Sequence, residues 1–178
     1  MLNVKSIIGI LSLVFFFSSF SARAQDAYFG ASYTDLDYSE GGSDLGLQAL
    51  TGRLGKNFSE YVSGEFRYAL GFGGDSVSFE GLNFEVDLEN FYGGYLRGGF
   101  QASDSFFVYG LLGYTRIEIS ASVTNFGSSS SAENDISFGI GVDLNISGNA
   151  AFNFEYTNYY DKDGAEISGP SIGFISRF

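Results

Sequence analysis

Asp135-Ile-Ser-Phe-Gly-Ile-Gly-Val-Asp-Leu-Asn-Ile146 alternates without a fault. Ile136, Phe138, Ile140, Val142, Leu144 and Ile146 share one parity; Asp135, Ser137, Gly139, Gly141, Asp143 and Asn145 share the other. Successive side chains on a strand point to opposite faces, so this stretch reads as a strand with one apolar and one polar face. The next stretch repeats the pattern, with Ala150, Phe152, Phe154 and Tyr156 against Ala151, Asn153, Glu155 and Thr157. Only Ser147–Asn149 separates the two, which makes them a hairpin.

Working outward, eight segments alternate or nearly so: 27–35, 45–57, 61–72, 83–100, 105–118, 134–146, 150–160 and 169–178. Lys56–Glu60, Gln101–Asp104 and Ser147–Asn149 are short connections. Ser39–Ser43, Gly71–Gly81, Ser120–Glu133 and Asp161–Ser168 are mostly longer and rich in Gly, Ser and acid. In an up-and-down meander, alternate connections fall on opposite sides, and short turns on one side with long loops on the other is the pattern of a membrane-spanning barrel. The expected fold is all-β, an eight-stranded antiparallel up-and-down transmembrane β-barrel, with strands of about ten residues.

The N-terminal stretch reads separately. Lys5, the apolar run Ile7 to Phe17 and Ala22-Arg23-Ala24 form a secretion signal with an A-x-A cleavage site. Residues 1–24 are expected to leave and residues 25–178 to form the barrel. The chain has 25 Gly, 12 Tyr, 20 Phe, a single proline (Pro170) and no Cys, a composition suited to strands and tight turns without disulfides. A net charge of −12 argues against nucleic acid as a partner. Acids concentrate in the longer connections and beside them, at Asp35, Asp37, Glu40, Asp44, Asp75, Glu80, Glu85, Asp87, Glu89, Glu133, Asp161, Asp163 and Glu166.

Hairpin register sharpens the inside. Centring the first short turn on Ser59 places Arg53 opposite Glu65; centring the second near Ser103 places Arg97 opposite Tyr109; centring the third on Gly148 places Asp143 opposite Asn153. The polar face then holds Arg53, Glu65, Arg67, Arg97, Asp143 and Glu155, three charges of each sign at one height. Buried charge is tolerated when paired, so this set reads as a structural network filling the lumen and not as an acid–base pair. The chain has no His and no Cys, which removes thiol chemistry. Asp161-Lys-Asp-Gly164 is too short for a calcium loop and reads as a solvated acidic turn. No catalytic residue, cofactor or metal is expected.

Together the signal peptide, Leu54-Gly55 before a short turn, Glu65-x-Arg67-Tyr68 and the closing Gly173-Phe-Ile-Ser-Arg-Phe178 resemble the small outer-membrane β-barrel family. This is the porin-like and opacity-protein type related to OmpA and OmpX barrels. Ser176 departs from the family's closing pattern, and the chain has no Trp for the membrane girdles. The resemblance implies the outer membrane of a Gram-negative bacterium, with both termini periplasmic and lipid and lipopolysaccharide as surroundings. Gly173, Phe174, Arg177 and Phe178 would be the signal read by the barrel-assembly machinery. The histidine-dependent chemistry of outer-membrane proteases and lipid A enzymes is not available here. The expected function is a non-enzymatic structural and surface-interaction role with an unnamed partner. A narrow porin for ions or small solutes, and a soluble secreted lipocalin-like barrel, stand as alternatives.

Overall fold

The structure, a computed structural model, describes residues 27–41, 43–72, 75–79, 82–123 and 127–178. The expected signal peptide lies outside these residues. Nine strands run β1 (Ala27–Glu40), β2 (Ser43–Asn57), β3 (Val62–Gly71), β4 (Asp75–Phe79), β5 (Leu82–Ser103), β6 (Phe106–Val123), β7 (Gly127–Ser147), β8 (Ala150–Lys162) and β9 (Ala165–Arg177). All pairings are antiparallel between neighbours; β1 pairs with β9, and β3 reaches past β4 to pair with β5. Eight strands therefore close a barrel, while β4 lies only against the upper part of β5, from Asp75↔Val86 to Phe79↔Leu82. Along the apolar belt, closure pairs each of these eight strands on both sides, a requirement for backbone surrounded by lipid.

Ala27 and Phe178 meet at one end, where the Phe178 amide donates to the Ala27 carbonyl at 2.9 Å. The turns at 58–61, 104–105 and 148–149 share this near end. At the far end, among the described residues, the strands continue through much of the expected long loops. Val123 still pairs with Gly127, and Lys162 with Ala165. The last of these hairpins turns on Asp163 and Gly164, both at positive φ (57° and 86°), the requirement of a type I′ turn and the reason for Asp-Gly there. The acids assigned to loops thus sit mostly on strands, as Asp35, Asp37, Glu133 and Glu166 do.

Two of the three expected registers shift by two residues. Arg53 pairs with Arg67, and Gly55 with Glu65. The turn before β3 spans four residues, closed by the Phe58 amide donating to Val62 O at 2.9 Å and held by the Ser59 hydroxyl, which accepts from the Tyr61 and Val62 amides. Arg97 pairs with Leu111 and not Tyr109, because the hairpin turns on Asp104–Ser105 and not on Ser103, and a bulge between Gln101 and Ser103 takes back one residue of the difference. Asp143 does pair with Asn153. A shift of two preserves side-chain parity, so the faces are unchanged.

Along the middle of the barrel, Phe29, Leu54, Phe66, Leu96, Leu112, Ile140, Phe154 and Ile172, one from each closing strand, are exposed outward. Ser32, Thr51, Arg67, Arg97, Thr115, Asp143, Asn153 and Ser171 are buried inward. Tyr33, Tyr68, Tyr92, Tyr114 and Tyr156 lie outward toward the far border of this apolar belt, where amphipathic rings suit the membrane interface.

Above the belt the pattern inverts. In β1, the outward series Phe29, Ala31, Tyr33 gives way to Asp35 and Asp37, while inward Ser32 and Thr34 give way to Leu36. Leu36, Leu47, Leu88, Phe91, Ile117, Tyr159 and Ile167 then form a buried apolar core. The far part resembles a water-soluble β-structure built on a membrane barrel. It also divides. The β7–β8 ladder stops at Phe138↔Asn158, and β2 above Ala49 has no ladder to β4 among the described residues. One lobe is β2–β1–β9–β8, the other β4–β5–β6–β7. The rings of Phe91 and Tyr159, one from each lobe, meet with centroids 4.8 Å apart.

Candidate functional site

All six charged residues read from the sequence as interior are at most 5 % exposed. They form a chain with strictly alternating sign. Arg53 Nη1 lies 3.8 Å from Glu155 Oε2. Arg67 grips Glu155 with both terminal nitrogens, Nη2 at 2.9 Å from Oε2, and its Nε donates to Glu65 Oε2 at 2.7 Å. Arg97 links Glu65 at 2.9 Å to Asp143 at 2.8 Å. Arg177 closes the series, 3.7 Å from Asp143 and donating to Asn145 Oδ1 at 3.1 Å. Every acid stands between two cations, the arrangement that repays desolvation of buried charge.

Three tyrosines complete it, of which the sequence reading placed only Tyr109 on the inner face, and none in the network. Tyr28 donates to Glu65 at 2.8 Å and Tyr109 to Glu155 at 2.7 Å, while the Tyr95 hydroxyl lies 2.6 Å from Thr115 Oγ1. Arg67 lies over the Tyr95 ring and Arg97 over Tyr109, at 4.5 and 3.7 Å from the centroids, within cation–π range. Each of these tyrosines is paired across the ladder with a glycine: Tyr28 with Gly55, Tyr95 with Gly113, Tyr109 with Gly141. A Cβ on any of the three glycines would fall within 2.3 Å of the ring or hydroxyl opposite. The glycines are the seats on which the rings lie flat. Tyrosine opposite glycine on the inward parity was the available signal, hidden until register is known.

Asn153 Nδ2 bridges Asp143 Oδ1 and the Tyr109 hydroxyl, both at 2.7 Å, and Thr157 donates to Glu155 at 2.9 Å. Glu65, Asp143 and Glu155 are thus each held by arginine and by further side-chain donors. Below the chain, a cavity of about 170 Å³ opens at the near end, lined by Tyr28, Ser63, Arg97, Asp143 and Arg177 among others. The interior is therefore filled twice, by the ionic chain and by the apolar core above it.

Of the C-terminal residues, Phe174 and Phe178 face outward, Gly173 and Arg177 inward, and Ile175 is buried. Phe29 and Phe178 rings lie 6.1 Å apart, and Phe152 and Phe174 6.3 Å apart edge to face. At the far end, carboxylates surround Tyr160. Burial pushes its phenol up, and Glu133, Asp163, Asp135 and Glu40 add to the rise. Tyr38 donates to Glu40 and is pushed up to about 12 by burial and then by that bond.

Residues 9–178 match the family model for the outer membrane protein beta-barrel domain. The chain belongs to this family. Its members' fold places the apolar belt in the outer membrane, against lipid. Among solved structures, the chain is similar to Ail, the attachment invasion locus protein of Yersinia pestis, at 18 % identity and a TM-score of 0.66, covering 88 % of this chain and 100 % of that one. It is also similar to Neisserial surface protein A, at 17 % identity and 0.60, with 88 % and 100 % covered. The N-terminal barrel of Pseudomonas aeruginosa OprF matches at 13 % and 0.58, with 86 % and 99 % covered. At these identities the likeness is one of fold. No curated protein sequence matches the chain. The lipocalin-like alternative, with an apolar interior throughout, does not describe the membrane belt; only the far part has that parity.

Proposed function

We propose that this outer-membrane barrel is sealed and non-enzymatic, and that its role is structural and surface-directed, carried by the acidic far end. The near end faces the periplasm and the far end the cell exterior, and residues 1–24 are removed on export. Gly173, Phe174, Arg177 and Phe178 are the assembly signal, with Arg177 also joined to the lumen charges. The observation that carries the reading is the doubly filled interior beneath a crown of exposed acids, Asp35, Asp37, Glu133 and Glu166. A filled small barrel offers no aqueous path, while a one-signed surface steers partners of opposite charge. One crystal structure of Ail holds the heparin analogue sucrose octasulfate; the crown of this chain suits the opposite sign, a cationic partner.

The test uses purified protein in lipid. Planar-bilayer recordings are expected to show no steady conductance, and immobilised proteoliposomes to bind poly-lysine. Neutralising Asp35, Asp37, Glu133 and Glu166 to their amides is expected to abolish that binding and leave the fold intact. Steady conductance in the unaltered protein would favour the narrow-pore reading instead.

A further inference from the structure

The ionic chain begins and ends on a cation. Arg53, Arg67, Arg97 and Arg177 alternate with Glu155, Glu65 and Asp143, four positive charges against three negative. One positive charge is left over, and each terminal arginine shares its only counter-charge with a neighbour. Arg53 ends the chain inside the barrel, where it donates to Ser32 Oγ at 3.1 Å. Arg177 ends it at the near-end cavity.

Two groups in the lining of that cavity are short of partners. Arg177 stays 3.7 Å from Asp143, beyond hydrogen-bond reach, and donates to Asn145 through one nitrogen, whereas a guanidinium has five N–H donors in a fixed fork. Arg97, 4 % exposed, spends its terminal nitrogens on Glu65, Tyr28 and Asp143, and its buried Nε has no partner. Buried donors are normally satisfied. A water molecule answers the Nε but not the surplus charge; an anion answers both.

The lining also says which anion. Its two acids are engaged, Asp143 by Arg97 and Asn153, and Glu60, exposed at the mouth, by the Tyr61 hydroxyl. They still repel a multiply charged ion, and a surplus of one matches a monoanion. At about 170 Å³ the cavity exceeds what a bare ion fills; an engineered cavity of ~150 Å³ takes up benzene. Phe107 and Ile175 give it an apolar side.

We propose that the near-end cavity binds a small monocarboxylate with a short apolar body, its carboxylate held by Arg177 and the Nε of Arg97, its body against Phe107 and Ile175. The ligand enters and leaves by the near mouth, since the ionic chain closes the lumen above it. The site stands independently of any role of the far end.

The experiment uses the full barrel in lipid nanodiscs with isotope-labelled arginine, at neutral pH and constant ionic strength. Benzoate is titrated, with benzyl alcohol as its uncharged twin and inorganic phosphate as a bare oxyanion. Benzoate is expected to shift the Nε–H resonances of Arg97 and Arg177 saturably and to leave that of Arg116, on the outer face toward the far end, in place. Arg177→Gln is expected to weaken benzoate at least about ten-fold, the loss of one charge-assisted bond. The Arg97 resonance of the unaltered protein keeps the test decisive should that variant fail to assemble. No saturable shift at Arg97, an equal shift with benzyl alcohol, or an equal shift at Arg116 would overturn the site. An equal response to phosphate would overturn the organic ligand in favour of a bare oxyanion.

Discussion

Gly141 lies directly opposite Tyr109 across the β6–β7 ladder, and the tyrosine ring covers it so closely that a Cβ there would sit 2.3 Å from the phenolic oxygen. That oxygen donates to Glu155 and accepts from Asn153. A methyl group at Gly141 therefore acts on the ionic chain through the ring. Gly141→Ala is expected to cost about 1–3 kcal/mol, the range for overpacking, in urea unfolding of the lipid-reconstituted protein. Combined with Tyr109→Ala, the loss should be smaller than the sum of the single losses, because the clash has gone.

Arg67 is the centre of the chain and has no exposure to solvent. Arg67→Ala leaves Glu65 and Glu155 facing each other without their shared cation. The expected loss is about 3–5 kcal/mol. The double substitution Arg67→Met with Glu155→Gln should cost less than the two singles added, and equilibrium unfolding of all four proteins gives the coupling. Strict additivity would show that the two side chains do not depend on one another.

The two seals make separate demands. Phe91→Ala removes the ring that joins the lobes and is expected to cost about 3–5 kcal/mol. It should open no conductance, since the ionic chain still closes the lumen below. Conductance in planar bilayers is expected only when Phe91→Ala is combined with the loss of Arg67 and Glu155.

Tyr38 lies above the belt, and its folded pKa is raised from 10.0 to about 12. A raised pKa means that the protonated form is favoured by folding. The contribution of Tyr38 to the far end is therefore complete below pH 10 and lost as pH rises through about 12. Ultraviolet absorbance of the phenolate should show this late ionisation, and Tyr38→Phe should remove it and flatten the alkaline loosening of the far lobe.

The alternation of Asp135–Ile146 was enough to read a strand, its two faces and, through a connection centred on Gly148, the pairing of Asp143 with Asn153. The inward placement of Arg53, Glu65, Arg67 and Arg97 followed from parity alone, which survives a register error of two. Their partners did not follow, because the four-residue turn held by Ser59, the turn on Asp104–Ser105 and the bulge beside it have no marker that periodicity can register. Tyr28 and Tyr95 read as ordinary aromatics, and Tyr109 only as an inward neighbour of Arg97, until the glycine opposite each was known. The far core was hidden for another reason. At Tyr33-Thr34-Asp35-Leu36-Asp37 the apolar parity changes sides within a continuous strand, and in sequence this resembles the end of a strand followed by an acidic loop.

That change of sides also fixes how deeply the molecule floats. Sliding toward the far side by one residue pair, about 7 Å along a strand, would draw the exposed near-end turn residues Glu60 and Asp104 toward the hydrocarbon. Sliding toward the near side by the same step would draw Asp35 and Glu118 toward it, where lipid-facing charge becomes steadily more costly with depth. The barrel carries its own waterline, drawn in side chains around the whole wall, and needs no separate anchor to hold its level.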